Sequence, residues 1–292
     1  MALDYWVILG LVGAVSGAAF QIYQKQIVTE VSSIKIAHQS NLIAVPVAAI
    51  VVPFVSSTTY LIPGLALVAV TISGAISGFS YWLLARAYET EDLSTISPLR
   101  ALVPVMVAAV EPLFFPEGYN FWILLAAACS TVGIYSILIE GDWLSPVRGI
   151  TRSGVQLGLL STASLVFTIL INRTALNVFG AAPATYAVYF LFFTAVATAV
   201  ISVVNGGVVE MIDTVTPTLQ TIPLGVFRSL LIVAGLGALY LATGTKTSIL
   251  LQSGVLLAII FGGTFLKEQY LYRRIVGGVA IVTGAVLVTV FG

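Results

Sequence analysis

Charge is the scarcest thing in this sequence. Of its 292 residues, 8% are Asp, Glu, Lys or Arg, against roughly 25% in an ordinary globular domain. Twelve basic and twelve acidic residues cancel to a formal charge of zero. That excludes a basic nucleic-acid footprint and an acidic solubilising surface. Cys129 is the one cysteine and lies in an apolar run. No disulfide, zinc site or haem attachment is therefore supported, and packing is the role left for it. His38 is the one histidine, too few for a multi-histidine metal site. There is no Walker A sequence, no H-E-x-x-H and no G-x-S-x-G, so ATP hydrolysis and two common hydrolase chemistries lack their motifs. A basic leader is missing as well, because no Lys or Arg precedes Lys25. The first apolar run is expected to stay as a helix rather than to be cleaved as a signal peptide.

What fills the space is apolar. Hydrophobic residues make up 59% of the chain, more than a water-facing surface tolerates. Charge-free runs cover 5–24, 36–85, 118–139, 153–172, 174–209, 247–266 and 275–292. A membrane-spanning helix needs about 20 such residues to cross about 30 Å of hydrocarbon. The 36–85 run is too long for one span, since it would make a rod of about 75 Å. It is expected to break near Ser56, Ser57, Thr58 and Thr59, with Pro63 opening the next helix. The fold class is thus an all-α polytopic membrane protein of about ten transmembrane helices. They are placed at 4–24, 35–55, 61–86, 94–115, 120–139, 153–172, 183–204, 222–242, 247–266 and 271–291, with longer loops at 140–152 and 205–221.

The chain also repeats. A shift of 151 positions lays Gly74 on Gly225, Ser97 on Ser248, Glu117 on Glu268 and Gly133 on Gly284, while Lys25 and Arg173 match at a shift of 148. An odd number of helices per half gives an inverted-topology repeat, with five-helix units over 1–145 and 146–292. Gly13 and Gly17, and Gly74 and Gly78, are spaced for close helix contact.

The segment Ser248-Ile-Leu-Leu-Gln-Ser-Gly-Val-Leu-Leu-Ala-Ile-Ile-Phe-Gly-Gly-Thr-Phe-Leu-Lys-Glu268, continuing through Arg273, Arg274, Gly277 and Gly278 to Gly284, resembles the drug/metabolite transporter superfamily, in particular its ten-helix EamA-type members. Ser94 to Glu117, with Pro98 and Pro104, is the matching stretch of the first half. The sequence departs from the pattern at Pro116-Glu117-Gly118 and at Glu111-Pro112. The resemblance implies secondary transport of small organic metabolites by alternating access, with export of amino acids or related solutes the first expectation. Multidrug permeation and sugar-phosphate or nucleotide-sugar carriage are its alternatives. A non-transporting receptor, a channel and an intramembrane enzyme are the class-distinct alternatives, and no catalytic motif supports the last. The protein is expected in the plasma or inner membrane, with lipids and a small-molecule substrate as partners and no nucleic acid. It needs no cofactor, proton coupling is open, and both monomer and homodimer are compatible with the sequence.

Twelve polar or charged residues in or near the apolar runs are candidates for the substrate pathway: Gln21, Gln24, His38, Asn41, Tyr81, Tyr88, Arg100, Glu111, Tyr186, Tyr189, Arg228 and Gln252. Arg100 falls about two turns into the fourth helix, before Pro104. It either snorkels to the interface or lines the pathway as a cation for an acidic part of the substrate. Arg228 presents the same choice. Pairing of Arg100 with Glu111 is disfavoured, because eleven residues span about 16 Å on a straight helix. Glu111 is read as a capping or interfacial carboxylate, or as a carrier of a coupling proton. The other polar groups either line a midplane cavity or join helices. Tyr5, Trp6, Trp122, Trp143, Tyr270 and Tyr272 near helix ends suit the headgroup zone, and Lys267, Arg273 and Arg274 mark a boundary. Basic residues concentrate on the loops after the odd-numbered helices, which places both termini outside by the positive-inside bias.

Overall fold

The computed structural model describes residues 4–55, 61–100, 102–115, 121–138, 151–215, 218–254, 257 and 271–291. Glu117, Trp143, Arg148, Lys267, Glu268 and Tyr270 lie outside them, as does the expected break at 56–59.

Long apolar runs become long helices: α1 (Tyr5–Ile27), α2 (Ser33–Val55) and α3 (Gly64–Thr90), with Pro63 at the start of α3. The fourth run does not form one helix. It gives α4 (Leu93–Arg100), then α5 (Val103–Val110), then a 3₁₀ turn over Glu111–Leu113. Pro104 in the first turn of α5 has no N–H to bond the carbonyl four residues earlier, which is that of Arg100. Arg100 therefore sits at the end of a short helix beside a break, not within a continuous span. α6 (Phe121–Leu138) completes the first half.

The second half contains α7 (Ser153–Asn177), α8 (Pro183–Val215), α9 (Ile222–Leu241), α10 (Gly244–Gln252) and α11 (Leu271–Phe291). Helix α8 overruns its expected end at 204, so much of the anticipated 205–221 loop is helical; Gly206 and Gly207 do not stop it. Gly180, at φ 69°, turns the chain after α7, where the Phe179 and Ala181 N–H groups return to the carbonyls of Thr174 and Ala175.

Six helices among the described residues are long and apolar enough to cross a membrane. They cover Tyr5–Ile27, Ser33–Pro53, Gly64–Thr90, Ser153–Asn177, Pro183–Asn205 and Leu219–Leu241. Shorter apolar helices occur at Val103–Leu113, Phe121–Gly133 and Ile275–Gly284.

The radial arrangement of residues is that of a protein dissolved in lipid. Ile8, Leu11, Val12 and Val15 on α1 are exposed at helical spacing, as are Leu65, Val68 and Ile72 on α3 and Phe192, Val196 and Val200 on α8. Polar side chains point inward instead: Ser73, Ser77 and Ser80 on α3, Ser161 and Thr162 on α7, and Thr194, Thr198 and Ser202 on α8 are buried. Many of these hydroxyls return a hydrogen bond to a carbonyl one turn back, as Thr162 does to Gly158 and Thr194 to Phe190. Others tie helices together. The Ser80 and Ser161 hydroxyls each donate to the other's backbone carbonyl, at 2.9 and 2.8 Å, joining α3 to α7.

Helix partnerships cross between the halves. α1 packs on α9, α3 on α7 and α8, α2 on α8 and α9, α5 on α10, and α6 on α11. Small residues set the close approaches. A Cβ on Gly74 would lie 3.2 Å from the Thr194 backbone nitrogen, and one on Gly225 would lie 3.3 Å from the nitrogen of Ala44. Gly133 faces the Gly277 carbonyl oxygen, and Gly284 faces that of Ala126. These crossings leave a cavity between helices of both sequence halves.

Candidate functional site

The cavity has a volume of about 120 Å³ and receives side chains from α1, α3 and α4 of the first half and from α7, α8, α9 and α10 of the second. Its lower-polarity wall is aliphatic and aromatic, including Phe20, Phe190, Leu231 and Leu251. Its polar groups are Gln21, Ser77, Tyr81, Arg100, Thr168, Asn172, Arg228, Thr247, Ser248 and Gln252.

Arg228 is the centre of this arrangement. It is fully buried, which removes the snorkelling reading: an arginine reaching for the interface exposes its guanidinium. Its Nε donates to Asn41 Oδ1 at 3.0 Å, and its Nη2 donates to Ser77 Oγ at 3.3 Å. Asn41 is in turn fixed by donating from Nδ2 to the Ala37 carbonyl at 2.7 Å. The guanidinium carbon lies 3.4 Å from the centroid of the Tyr81 ring, a cation–π contact. Arg228 Nη1 is buried without a hydrogen-bond partner among the described residues. Arg100 is also buried, and its guanidinium carbon lies 5.4 Å from the centroid of the same ring. The break before Pro104 is what turns the end of α4 into this space. Two cations thus share one aromatic ring at the cavity wall.

Glu111 lies elsewhere, in a second buried cluster. It is fully buried and forms an ion pair with Arg173 at the end of α7. It also accepts from the N–H groups of Gly244 and Thr245 at 2.6 and 2.8 Å, and from the Thr245 hydroxyl at 2.7 Å. The carboxylate therefore caps the start of α10 from another part of the chain, where the helix dipole favours negative charge. The Arg173 guanidinium in turn covers the Phe115 ring at 4.2 Å.

The other candidates divide by location. Gln21, Tyr81, Arg100, Arg228 and Gln252 line the cavity. Asn41, Tyr88 and Tyr186 stand one contact behind it: the Tyr88 hydroxyl donates to Gln21 Oε1 at 3.1 Å and the Tyr186 hydroxyl donates to Asn172 Oδ1 at 2.8 Å. His38 Nδ1 lies 3.1 Å from Thr198 Oγ1, joining α2 to α8. Gln24 is buried, and Tyr189 packs beside the apolar cluster around Tyr186 and Leu239; neither lines the cavity. Sequence reasoning did not single out Ser77, Asn172, Thr247 or Ser248 as lining groups. It also noted Arg173 only as a repeat match. Asn172 next to Arg173 at the end of a charge-free run was the available signal.

A family model described as the EamA-like transporter family matches residues 4–139. Among the solved structures that match is one described as "Crystal structure of protein", at 12% identity and a TM-score of 0.65, covering 100% of both chains. At that identity it shows the shared fold. No curated protein matches the chain at a significant level. Over residues 4–139, a little under half of its length, the chain is thus similar to the EamA-like transporter family. It is a multi-pass integral membrane protein.

Proposed function

We propose that the protein is a secondary transporter that moves small organic metabolites by alternating access, built as two inverted five-helix repeats over 1–145 and 146–292. The observation that carries this reading is the position of the cavity at the seam of the halves, with both contributing side chains to it. The contacts support the repeat. Exchanging the halves converts the α1–α9 pairing into α7–α3 and the α3–α8 pairing into α9–α2, and leaves α2–α8, α5–α10 and α6–α11 unchanged. The close approach of Gly74 to Thr194 becomes that of Gly225 to Ala44. Equivalent helices run in opposite directions: Gly133 meets Gly277 while Ala126 meets Gly284, and His38 meets Thr198 while Ala44 packs near Leu191. Arg228 touches Ser77, its own equivalent under the 151-residue shift, so the cation stands near the axis relating the halves.

Rocking of one repeat against the other would expose a site on that axis to each side in turn. Amino acids and related metabolites are the cargo the family likeness favours, without ATP. Glu111 is suited to joining the halves, because it pairs with Arg173 and accepts from three further donors around the start of α10. The test is counterflow in proteoliposomes loaded with a panel of amino acids, organic acids, sugar phosphates and cationic drugs. Saturable exchange of at least one solute is expected. Folded, correctly inserted protein that moves none of them would refute transport.

A further inference from the structure

We propose that the cavity selects substrates by negative charge: it is a site for a small organic oxyanion, in which a carboxylate or phosphate group meets Arg228 and Arg100 beside Tyr81. The proposal rests on the transport reading and narrows its substrate class. Its first ground is a charge imbalance. Two buried guanidiniums line the cavity, and no Asp or Glu does among the described residues. The buried carboxylate of Glu111 is committed to Arg173 and to the start of α10. Buried cations persist when paired or when they face an aqueous or ligand-filled space. Neutral partners and a ring face surround Arg228: Asn41, Ser77 and Tyr81. None of these brings the negative charge that the pair of cations lacks.

The second ground is the unused donor. Asn41 and Ser77 fix Arg228 through Nε and Nη2, and Nη1 remains buried with no partner among the described residues. A buried polar atom left unpaired is costly, and an oxyanion is the strongest acceptor for a guanidinium. The third ground is the remaining polar lining. The Tyr186 hydroxyl holds the Asn172 carbonyl oxygen, which leaves the Asn172 amide as a donor at the wall. Thr247, Ser248 and Gln252 lie on α10 and suit hydroxyl or amide groups elsewhere on the ligand. A volume of about 120 Å³ suits a compact metabolite. Acidic amino acids satisfy all three grounds; a neutral amino acid offers its α-carboxylate to Nη1 but no net negative charge, and a cationic drug without an acidic group offers neither.

The test compares ligands that differ in charge and little else. Binding of succinate and succinamide, glutamate and glutamine, and glycerol 3-phosphate and glycerol is measured by calorimetry on the purified full chain in detergent. At least one anion is expected to bind at least about tenfold tighter than its neutral counterpart, the effect of one charge-assisted hydrogen bond. Succinate against glycerol 3-phosphate separates a carboxylate from a phosphate site. Arg100→Gln is expected to weaken that anion by about tenfold or more while gel filtration and helical content stay unchanged. Should Arg228→Gln fail to fold, Arg228→Lys keeps the charge and removes the fork, and is expected to weaken the anion as well. Equal affinity for a neutral counterpart, absence of binding by every anion, or unchanged anion affinity in folded Arg100→Gln would overturn the proposal. Flux assays keep the two readings apart. An anion that binds without flux refutes transport alone, whereas saturable flux of a neutral or cationic solute without anion binding refutes the charge selection alone.

Discussion

Replacing Glu111 with Gln is the perturbation whose effect can be worked most fully from the contacts. The carboxylate accepts from Arg173, from two N–H groups at the start of α10 and from the Thr245 hydroxyl. An amide keeps the shape, removes the charge, and turns one acceptor into a donor that faces other donors. Removing one partner from a buried ion pair costs about 3–5 kcal/mol, because the remaining charge is left buried and uncompensated. Glu111→Gln should therefore lower unfolding free energy by about 3 kcal/mol or more. Replacing Arg173 with Met alone should cost a similar amount. Together the two changes should cost clearly less than their sum, since neither leaves an orphan charge, with a coupling of at least about 1 kcal/mol. The assay is equilibrium unfolding in mixed micelles, followed by helical content, for the four members of the cycle. Additive effects, or a Glu111→Gln change below about 0.5 kcal/mol, would refute the view that Glu111 and Arg173 are energetically coupled.

Four further outcomes follow from individual positions. Gly74→Ala and Gly225→Ala should each destabilise the same assay by about 1–3 kcal/mol by overpacking, since the new methyl groups meet Phe193 and Ile43. Gly64→Ala, with nothing within 4 Å of its Cβ, should stay within about 0.5 kcal/mol of the parent. Thr243→Ala should cost about 0.5–2 kcal/mol, because the Thr243 hydroxyl accepts from the Lys246 N–H at the start of α10. In a Cys129-free background, cysteine at the exposed Val290 should react with an impermeant thiol reagent in intact cells, and cysteine at the exposed Thr151 only after permeabilisation; the reverse pattern would place both termini inside.

Much of the scaffold was legible because hydrophobic thickness is a one-dimensional constraint. Charge-free runs of sufficient length located α1, α2, α3, α7 and α8 before any contact was known, and α9 followed from an apolar stretch that only Arg228 interrupts. What length did not reveal was interruption. The fourth run is apolar enough to span, yet the missing N–H of Pro104 divides it after Arg100, and that division places the guanidinium at the cavity. The overrun of α8 past Gly206 and Gly207 was missed for the opposite reason: glycine weakens a helix without obliging it to stop. Polar residues were visible as exceptions within apolar runs, but their partners were not. Arg228 and Ser77 are 151 positions apart, and Glu111 and Thr245 are 134 apart. Such pairs depend on how the helices cross, which one sequence does not state.

The two buried charged clusters differ in how their charges are balanced. At Glu111 every formal charge has a counter-charge in the protein: Arg173 offsets the carboxylate, and the start of α10 adds further donors. Such a cluster joins the turn after α5 to α7 and α10 with its charges balanced within the protein. At Tyr81 two cations share a ring face, and Arg228, held by Asn41 and Ser77, has one guanidinium nitrogen without a partner among the described residues. The first cluster balances its own charge, although Arg173 Nε has no hydrogen-bond partner among the described residues, whereas the second gains most from an added anion. A substitution in the first should therefore appear chiefly as lost stability across all ligands, and one at Arg100 chiefly as lost affinity for anions. Measuring unfolding and binding on Glu111→Gln and Arg100→Gln side by side separates the two roles. Equal loss of stability in both variants, with ligand preference unchanged, would mean that the cations at Tyr81 are structural in the same sense as the Glu111 pair.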